Sequence, residues 1–374
     1  MFCQVGVVMS KDRVACLSDW VGRNAWTGGD ISSNGEGAGR PDCDAVKALR
    51  RCLDSLTDLL LFDGNVFDVL RKNKDGKYAI ASRGDSNLMN LFENILQRDL
   101  RRVMADFSYH DLDPIFKLFV DLLSKDSVLK SYFNFYNTST MDKKVFAYDA
   151  FNKFINNFRE QSSGADFTKT VKNRRRAASK NARSALNLIN NLFDIHSRLL
   201  VVRVDLSYVN GSILCSDNCK SAHLDLEKWL RHIRSGEKFS AFVGYIWKLE
   251  FGPSRGLHFH VMLFFDSSKA RNDINLGKMA GETWINLTNK KGAYWNCNAN
   301  KPYYEKRGVL GIGSISHDNA ILRKNLLKSA GYLAEVDYYV ALSGVVGRTF
   351  GRSELKVVVK KGGRPRKNQS AVCH

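Results

Sequence analysis

Residues 247–265, WKLEFGPSRGLHFHVMLFF, predict two antiparallel strands joined by a short turn. Residues after Leu257 are almost entirely apolar, as expected of a central strand that is buried on both faces. The linking residues 252–256 (GPSRG) contain two glycines and a proline, which is typical of a hairpin connection. If Phe251 and Leu257 close this hairpin, one register follows for both strands.

The elements around the hairpin predict the fold class. Residues 199–209 (LLVVRVDLSYV) alternate and are rich in β-branched side chains, so they predict a strand before the hairpin. A further strand is predicted at 309–315, and helices at 224–233, 269–287 and 319–342. The order β-α-β-β-α-β-α predicts an α+β domain with an antiparallel sheet flanked by helices.

The first half of the chain has a different pattern, because it is mostly helical. Helices are predicted at 44–61, 86–107, 113–129 and 142–160, and a loop at 27–40. Asp113 is a plausible N-cap, and Pro114 fits the first helical position. These patterns divide the whole chain into four segments: a mostly helical N-terminal domain at 1–165, a basic connecting helix at 166–198, the α+β domain at 199–355, and a basic C-terminal tail at 356–374.

The distribution of charge along the chain indicates the kind of molecule that the protein binds. The formal net charge is +19. Residues 1–150 carry 20 basic and 21 acidic side chains, so the whole excess lies in 151–374. This asymmetry predicts a polyanionic partner, nucleic acid before membrane.

Features of export are missing from the sequence. No apolar run is long enough to cross a bilayer, and the N-terminal residues do not read as a signal peptide. The eight cysteines are scattered along the chain, as expected of reduced thiols. The sequence therefore predicts a cytoplasmic protein with no membrane association.

Two histidines and a glutamate on the hairpin predict a metal site. His258 and His260 are two residues apart on one strand, so their side chains share a face. In the register closed by Phe251 and Leu257, Glu250 lies directly opposite His258 on that face. Two imidazoles and a carboxylate suit a divalent ion, Mg²⁺ or Mn²⁺, with positions left for a substrate. Asp205 on the preceding strand is either a further ligand or support for the site, or a partner for a nearby basic side chain.

A tyrosine on the last predicted helix is a candidate nucleophile. Tyr332 shares a helical face with Lys324 and Lys328, at a spacing of four residues. A phenol with a pKa of about 10 needs nearby cations to react as the phenolate. Tyr338 and Tyr339 remain competing candidates. The adjacent face is assigned to the core and carries Leu322, Leu326, Ala330, Leu333 and Val340.

Two basic segments are candidates for DNA contact. The connecting helix carries a cluster that we expect to bind phosphates; it consists of Lys172, Arg174, Arg175 and Arg176. The tail residues 360–367 (KKGGRPRK) resemble an AT-hook, in which Arg364 and Arg366 would enter an A/T-rich minor groove. A non-specific basic tail is the alternative.

The combination of Glu250, the His-Phe-His triplet and a later tyrosine resembles the HUH endonuclease superfamily of rolling-circle replication initiators. More narrowly, residues 199–355 resemble the inovirus (filamentous-phage) replication-protein family. The segments that carry the resemblance are 203–208 (RVDLSY), 247–265, 331–338 (GYLAEVDY) and 348–352 (RTFGR). Many initiators have a lysine three residues after the nucleophile, where this chain has Glu335, and some have a second tyrosine four residues after it, where this chain has Val336.

The resemblance implies an activity, a cofactor and partners. It implies an HUH-type nuclease domain at 199–355 that nicks and rejoins DNA in the presence of a divalent metal, with Tyr332 forming a 5′-phosphotyrosine intermediate assisted by Lys328. The implied substrate is a single-stranded or supercoiled origin of a phage or prophage element, in the cytoplasm of a bacterial host with its helicase and polymerase. Two alternatives stay open, which are a non-catalytic DNA-binding regulator on the same fold and a single-strand DNA transposase.

Overall fold

The computed structural model describes residues 41–72, 78–82, 110–126, 129, 141–209, 215–252, 256–335, 340–342 and 347–355. Its helices are α1 (Pro41–Leu61), α2 (Pro114–Lys125), α3 (Met141–Ser163), α4 (Ala165–Ile195), α5 (Ser216–Ser235), α6 (Asp273–Leu287), α7 (Lys301–Lys306) and α8 (Ala320–Glu335). Its strands are β1 (Phe67–Lys72), β2 (Tyr78–Ser82), β3 (His110–Leu112), β4 (Arg198–Tyr208), β5 (Phe242–Gly252), β6 (Gly256–Asp266), β7 (Gly292–Asn296), β8 (Gly313–Ser316), β9 (Val340–Leu342) and β10 (Phe350–Arg352).

The chain forms two compact units. A helical unit consists of Gly39–Ala177 together with Asp337–Ser343. A sheet unit contains Ala178–Val336 and the described residues that follow Gly344. The chain therefore leaves the sheet unit after α8, contributes one short strand to the helical unit, and returns.

The helical unit confirms three of the predicted helices, as α1, α2 and α3. The side chain of Asp113 accepts a hydrogen bond from the backbone N–H of Ile115 at 2.8 Å, and Pro114 occupies the first turn, so the predicted start of α2 is confirmed. Its core includes Phe119, whose ring packs edge-on against Phe154 and Phe158 at 5.3 and 5.4 Å between centroids. The predicted helix at 86–107 and loop at 27–40 lie outside the described residues.

Strands in the helical unit were not predicted. β1 and β2 form an antiparallel hairpin, and β3 pairs with β9. The partners β3 and β9 are three residues long and far apart in the sequence, so no local pattern indicates their pairing.

The basic connecting helix is confirmed as α4. Helix α3 ends at Ser163 and α4 begins at Ala165, one residue before the predicted start of this helix at 166. The helix continues to Ile195, where the chain enters the sheet.

The sheet unit is built on an antiparallel sheet, which confirms the α+β fold class. The strand order is β10-β5-β6-β4-β7, and β8 also pairs with β4. All pairings in this sheet are antiparallel. β6 is central, and its nine consecutive residues from Leu257 to Phe265 are buried, as the apolar run predicts.

Two short strands were missed, and one was placed too early. β7 begins with glycine and β10 has three residues, so neither carries a clear alternating pattern. The strand predicted at 309–315 is β8, which begins at Gly313. The residues before it run close to α8, since a Cβ on Gly311 would lie 2.6 Å from the backbone nitrogen of Leu326. That close approach requires glycine there and seats α8 on the sheet unit.

The last predicted helix, at 319–342, is too long. α8 ends at Glu335, and Val340 lies in β9 instead of on the core face of the helix. The pairing of β9 with β3 takes these residues out of the helix, because an extended strand satisfies their backbone groups. Leu326, Ala330 and Leu333 are buried, as predicted for the core face.

The two faces of the central sheet differ in chemistry. We call one the histidine face; it carries the side chains of Arg203, Asp205, Lys248, Glu250, His258 and His260. The second half of α4 and α8 pack against this face around Met262 and Phe264. The opposite side, the tryptophan face, carries Trp247 and Phe259 and is covered by α5 and α6 through Trp229 and Trp284.

Candidate metal centre

The hairpin of β5 and β6 brings three candidate ligands together. Phe251 pairs with Leu257 and Glu250 with His258, so the predicted register is confirmed. One ligand atom from each of Glu250, His258 and His260 lies within 4.8 Å of the others. Among the described residues, these three side chains are the ones that lie close enough together to hold one metal ion.

His260 lies between two carboxylates. Its Nδ1 is 2.8 Å from Oδ1 of Asp205, and its Nε2 is 3.1 Å from Oε2 of Glu250. Burial alone would lower the pKa of His260, but the charges of Glu250 and Asp205 and their hydrogen bonds raise it. The Asp205 contact fixes the ring so that Nε2 faces the shared point.

His258 is oriented by the backbone at the start of its own strand. Its Nδ1 is 2.9 Å from the carbonyl oxygen of Gly256, which can only accept, so Nδ1 is the protonated nitrogen. The other nitrogen, Nε2, is 4.0 Å from Oε2 of Glu250. The two imidazoles therefore direct their Nε2 atoms toward the same carboxylate.

Glu250 completes the group and is the member closest to solvent, with 26% of its side chain exposed. Its Oε1 has no hydrogen-bond partner among the described residues. Burial raises the pKa of Glu250, but the neighbouring His260, His258 and Lys248 outweigh that effect and lower the pKa to about 2. An ionised carboxylate with an unpartnered oxygen, next to two oriented imidazoles, fits a bound cation.

A buried set of polar side chains supports His260 from behind. Asp205 accepts a hydrogen bond from the Cys297 thiol at 3.3 Å, and its Oδ1 is 3.8 Å from Nε of Arg203. Burial, together with the charge of Asp205, raises the pKa of Cys297, so the thiol keeps the proton that it donates. Asp205 therefore supports the site through His260 and also pairs with a basic residue, Arg203, as the two predicted roles require.

Sequence reasoning missed two members of this environment. Cys297 is 92 residues from Asp205, and nothing in the sequence links them. Lys248 is 1% exposed and lies opposite His260 on the histidine face. The two-residue period of β5 already placed Lys248 on the same face as Glu250, but lysine is rarely buried, so its burial was not predicted.

The candidate nucleophile lies on a helix that packs on the histidine face. Tyr332 is in the last turn of α8 and is partly exposed. Lys328 and Lys324 are exposed one and two turns earlier, on the side of the helix that the spacing predicts. Tyr338 and Tyr339 lie outside the described residues, so their competing claim stays a prediction.

The predicted phosphate-binding residues have different environments. Lys172 and Arg176 are exposed, whereas Arg175 is half-buried. Arg174 pairs with Asp111 at 2.7 Å and donates to the carbonyl oxygen of Leu112 at 3.2 Å, so its guanidinium is engaged within the helical unit. The tail residues Arg364 and Arg366 lie outside the described part of the chain.

No helix in the described part of the chain has both the length and the apolar character needed to span a bilayer.

Comparison with known proteins places the sheet unit in a family. The model of the YagK/YfjJ C-terminal domain matches residues 162–353, which include α4, the whole central sheet and α8. No curated protein and no solved structure matches the chain. Because the match covers just over half of the sequence, this chain belongs to the YagK/YfjJ C-terminal domain family.

Proposed function

We propose that this protein is a metal-dependent DNA nicking and joining endonuclease that initiates rolling-circle replication of a phage or prophage element. The observation that carries the proposal is the group formed by Glu250, His258 and His260, whose ligand atoms lie within 4.8 Å of one another. A binding module has no need of such a group. The resemblance of residues 199–355 to inovirus replication proteins supports the reaction type.

In this proposal the three side chains hold a divalent ion, Mg²⁺ or Mn²⁺. The bound ion supplies Lewis acidity to the scissile phosphate. The protein's part is orientation, because Asp205 fixes His260 and the Gly256 carbonyl fixes His258. Ligands held in this way lose little freedom when the ion binds.

Tyr332 is the proposed nucleophile. Its phenolic oxygen forms a bond to phosphorus, the bond from phosphorus to the 3′ oxygen breaks, and the proton lost by the phenol ends on the 3′ oxygen. The products are a 5′-phosphotyrosine and a free 3′-OH, so the energy of the broken bond is kept and the reverse step rejoins a strand. Lys328 favours the phenolate and offsets the charge of the phosphate oxygens, with Lys324 contacting the flanking phosphates.

The products suggest the setting of the reaction. A free 3′-OH on a nicked origin is a primer for a polymerase, and the strand held on Tyr332 is displaced as a helicase opens the duplex. We therefore propose that the protein acts on single-stranded or supercoiled origin DNA in the bacterial cytoplasm, together with the helicase and polymerase of the host.

The test is nicking of supercoiled and single-stranded DNA from the element that encodes the protein, with Mn²⁺ or Mg²⁺, followed by denaturing gels and peptide mapping. We expect a covalent 5′ adduct on Tyr332 that EDTA prevents. Tyr332→Phe should abolish the adduct, and Tyr303→Phe serves as the matched control on α7.

The metal assignment is tested separately. His258→Ala and His260→Ala should each abolish nicking and leave DNA binding intact, with His232→Gln on α5 as the control. Nicking retained by either alanine variant would overturn the metal assignment. Tight DNA binding with no nick and no adduct would favour the non-catalytic regulator.

A further inference from the structure

The outer side of α4 carries a stripe of basic residues. Lys169, Lys172, Arg176, Lys180 and Arg183 recur at intervals of three or four residues, so they lie along one side of the helix. All five are exposed. With a rise of 1.5 Å per residue, the stripe is about 21 Å long.

Among the described residues, no acidic side chain neutralises the stripe. No acidic residue occurs between Phe167 and Phe193. None of the five side chains forms an ion pair with another residue in the part of the chain that the structure describes, in contrast to Arg174, which is held by Asp111. Opposite the stripe, Ala182, Ala185 and Leu188 are buried against the sheet. The packing therefore fixes which side of the second half of α4 faces solvent.

We propose that this stripe binds the phosphate backbone of duplex DNA. The choice of DNA rests on the proposed function, and the choice of duplex rests on the stripe itself. Sites for single strands combine basic side chains with aromatic rings on which bases stack, and residues 168–192 contain no aromatic residue. A row of cations about 21 Å long on one helix matches the backbone of about six base pairs, at 3.4 Å per step.

The experiment measures binding of the full chain to a labelled 20-base-pair duplex and to a 20-nucleotide single strand across a salt series. Lys172→Gln, Arg176→Gln and Lys180→Gln are combined in one stripe variant. The control variant combines Lys228→Gln, Arg231→Gln and Lys238→Gln, which removes the same number of charges from exposed positions on and just after α5, the helix that covers the tryptophan face. Circular dichroism confirms that both variants are folded.

The slope of log K against log salt is negative for DNA binding. For the duplex, the stripe variant should make this slope shallower by about 2.7, if each of the three side chains neutralises one phosphate. The control variant should change that slope by less than about 1. Equal losses in the two variants would overturn the inference, since net charge alone would then explain binding. A loss confined to the single strand would overturn the choice of duplex.

These outcomes separate the inference from the proposed function. A protein that binds duplex DNA through the stripe but never nicks would keep this inference and refute the nuclease. If the protein nicks its own element's DNA but the stripe variant keeps full affinity for the duplex, the proposed function stands and this inference is refuted.

Discussion

The two faces of one sheet are built from opposite chemistry on the same three strands. On the tryptophan face, Phe259 packs against the rings of Trp247 and Trp284, and the indole N–H of Trp284 donates to the carbonyl oxygen of Ser207 at 2.9 Å. On the histidine face the same strands bury five ionisable side chains, namely Arg203, Asp205, Lys248, His258 and His260. Buried charges are tolerated only as a compensating set. The comparison shows that one face supplies stability and the other holds groups suited to chemistry.

The largest effect should come from the tryptophan face. Trp284→Ala should lower the free energy of unfolding by about 3–5 kcal/mol, because it empties a buried site and removes the contact with Phe259. Urea unfolding at 25 °C measures the change. Since Trp284 lies on the side away from the candidate ligands, the folded variant should keep its Mn²⁺ affinity.

Trp284→Phe is the matched control for this change. It keeps a ring against Phe259 and loses the hydrogen bond to Ser207, so it should cost about 1–2 kcal/mol. A folded Trp284→Ala protein that has lost Mn²⁺ affinity would contradict the separation of the two faces.

A change in the support of His260 should affect metal binding more than folding. Asp205→Asn removes the carboxylate that orients His260, and it should weaken Mn²⁺ binding by about 10–100-fold. Titration calorimetry with Mn²⁺ measures this without any assay of activity. Ser207→Ala is the control, because Ser207 is buried on the same face of β4 two residues away. Equal affinity in the Asp205 variant would show that Asp205 does not position His260.

The charged form of His260 should stabilise the metal-free protein. Because folding raises the pKa of His260, this contribution is complete below about pH 6.5, the ordinary value, and is lost as pH rises through the raised value. In EDTA, the free energy of unfolding of the wild type should fall relative to His260→Gln as pH increases above 6.5. Glu250 acts in the opposite sense, since its contribution is complete above about pH 4.3 and is lost as pH falls toward 2.

Metal should compete with this proton. Mn²⁺ affinity should therefore rise with pH, by up to tenfold per unit while one proton is released. Calorimetry at several pH values tests the slope. Affinity that is independent of pH between 6 and 9 would contradict the role of His260 as a ligand.

The smallest effect should come from the thiol behind Asp205. Cys297→Ser keeps a donor for the carboxylate, so it should change the free energy of unfolding by less than about 1 kcal/mol. Cys297→Ala removes the donor and should cost about 1–3 kcal/mol. Urea unfolding compares the two, and equal losses would mean that packing of the sulfur matters instead of the hydrogen bond.

Local patterns predicted the part of the site that a hairpin determines. The turn residues 252–256 and the two-residue period set the register, and that register alone placed Glu250 opposite His258. The N-cap at Asp113 and the start of α4 are local features too, and both were predicted.

Features that depend on distant partners were not predicted. Cys297 reaches Asp205 from 92 residues away, and β9 becomes a strand only because β3 lies beside it. The sequence predicted that Arg174 contacts phosphate, yet its guanidinium pairs with Asp111, which is 63 residues away. The sequence contains these residues but carries no signal that joins them.

The course of the chain through β9 limits how the protein can be cut into separate units. Because Val340–Leu342 pairs with His110–Leu112 in the helical unit, no single cleavage point separates the two units. A fragment starting at residue 178 would keep the central sheet but leave this strand without its partner, a few residues after Tyr332. Limited proteolysis should therefore leave the two halves associated after one cut, and such a truncated chain would expose an unpaired strand edge prone to aggregation.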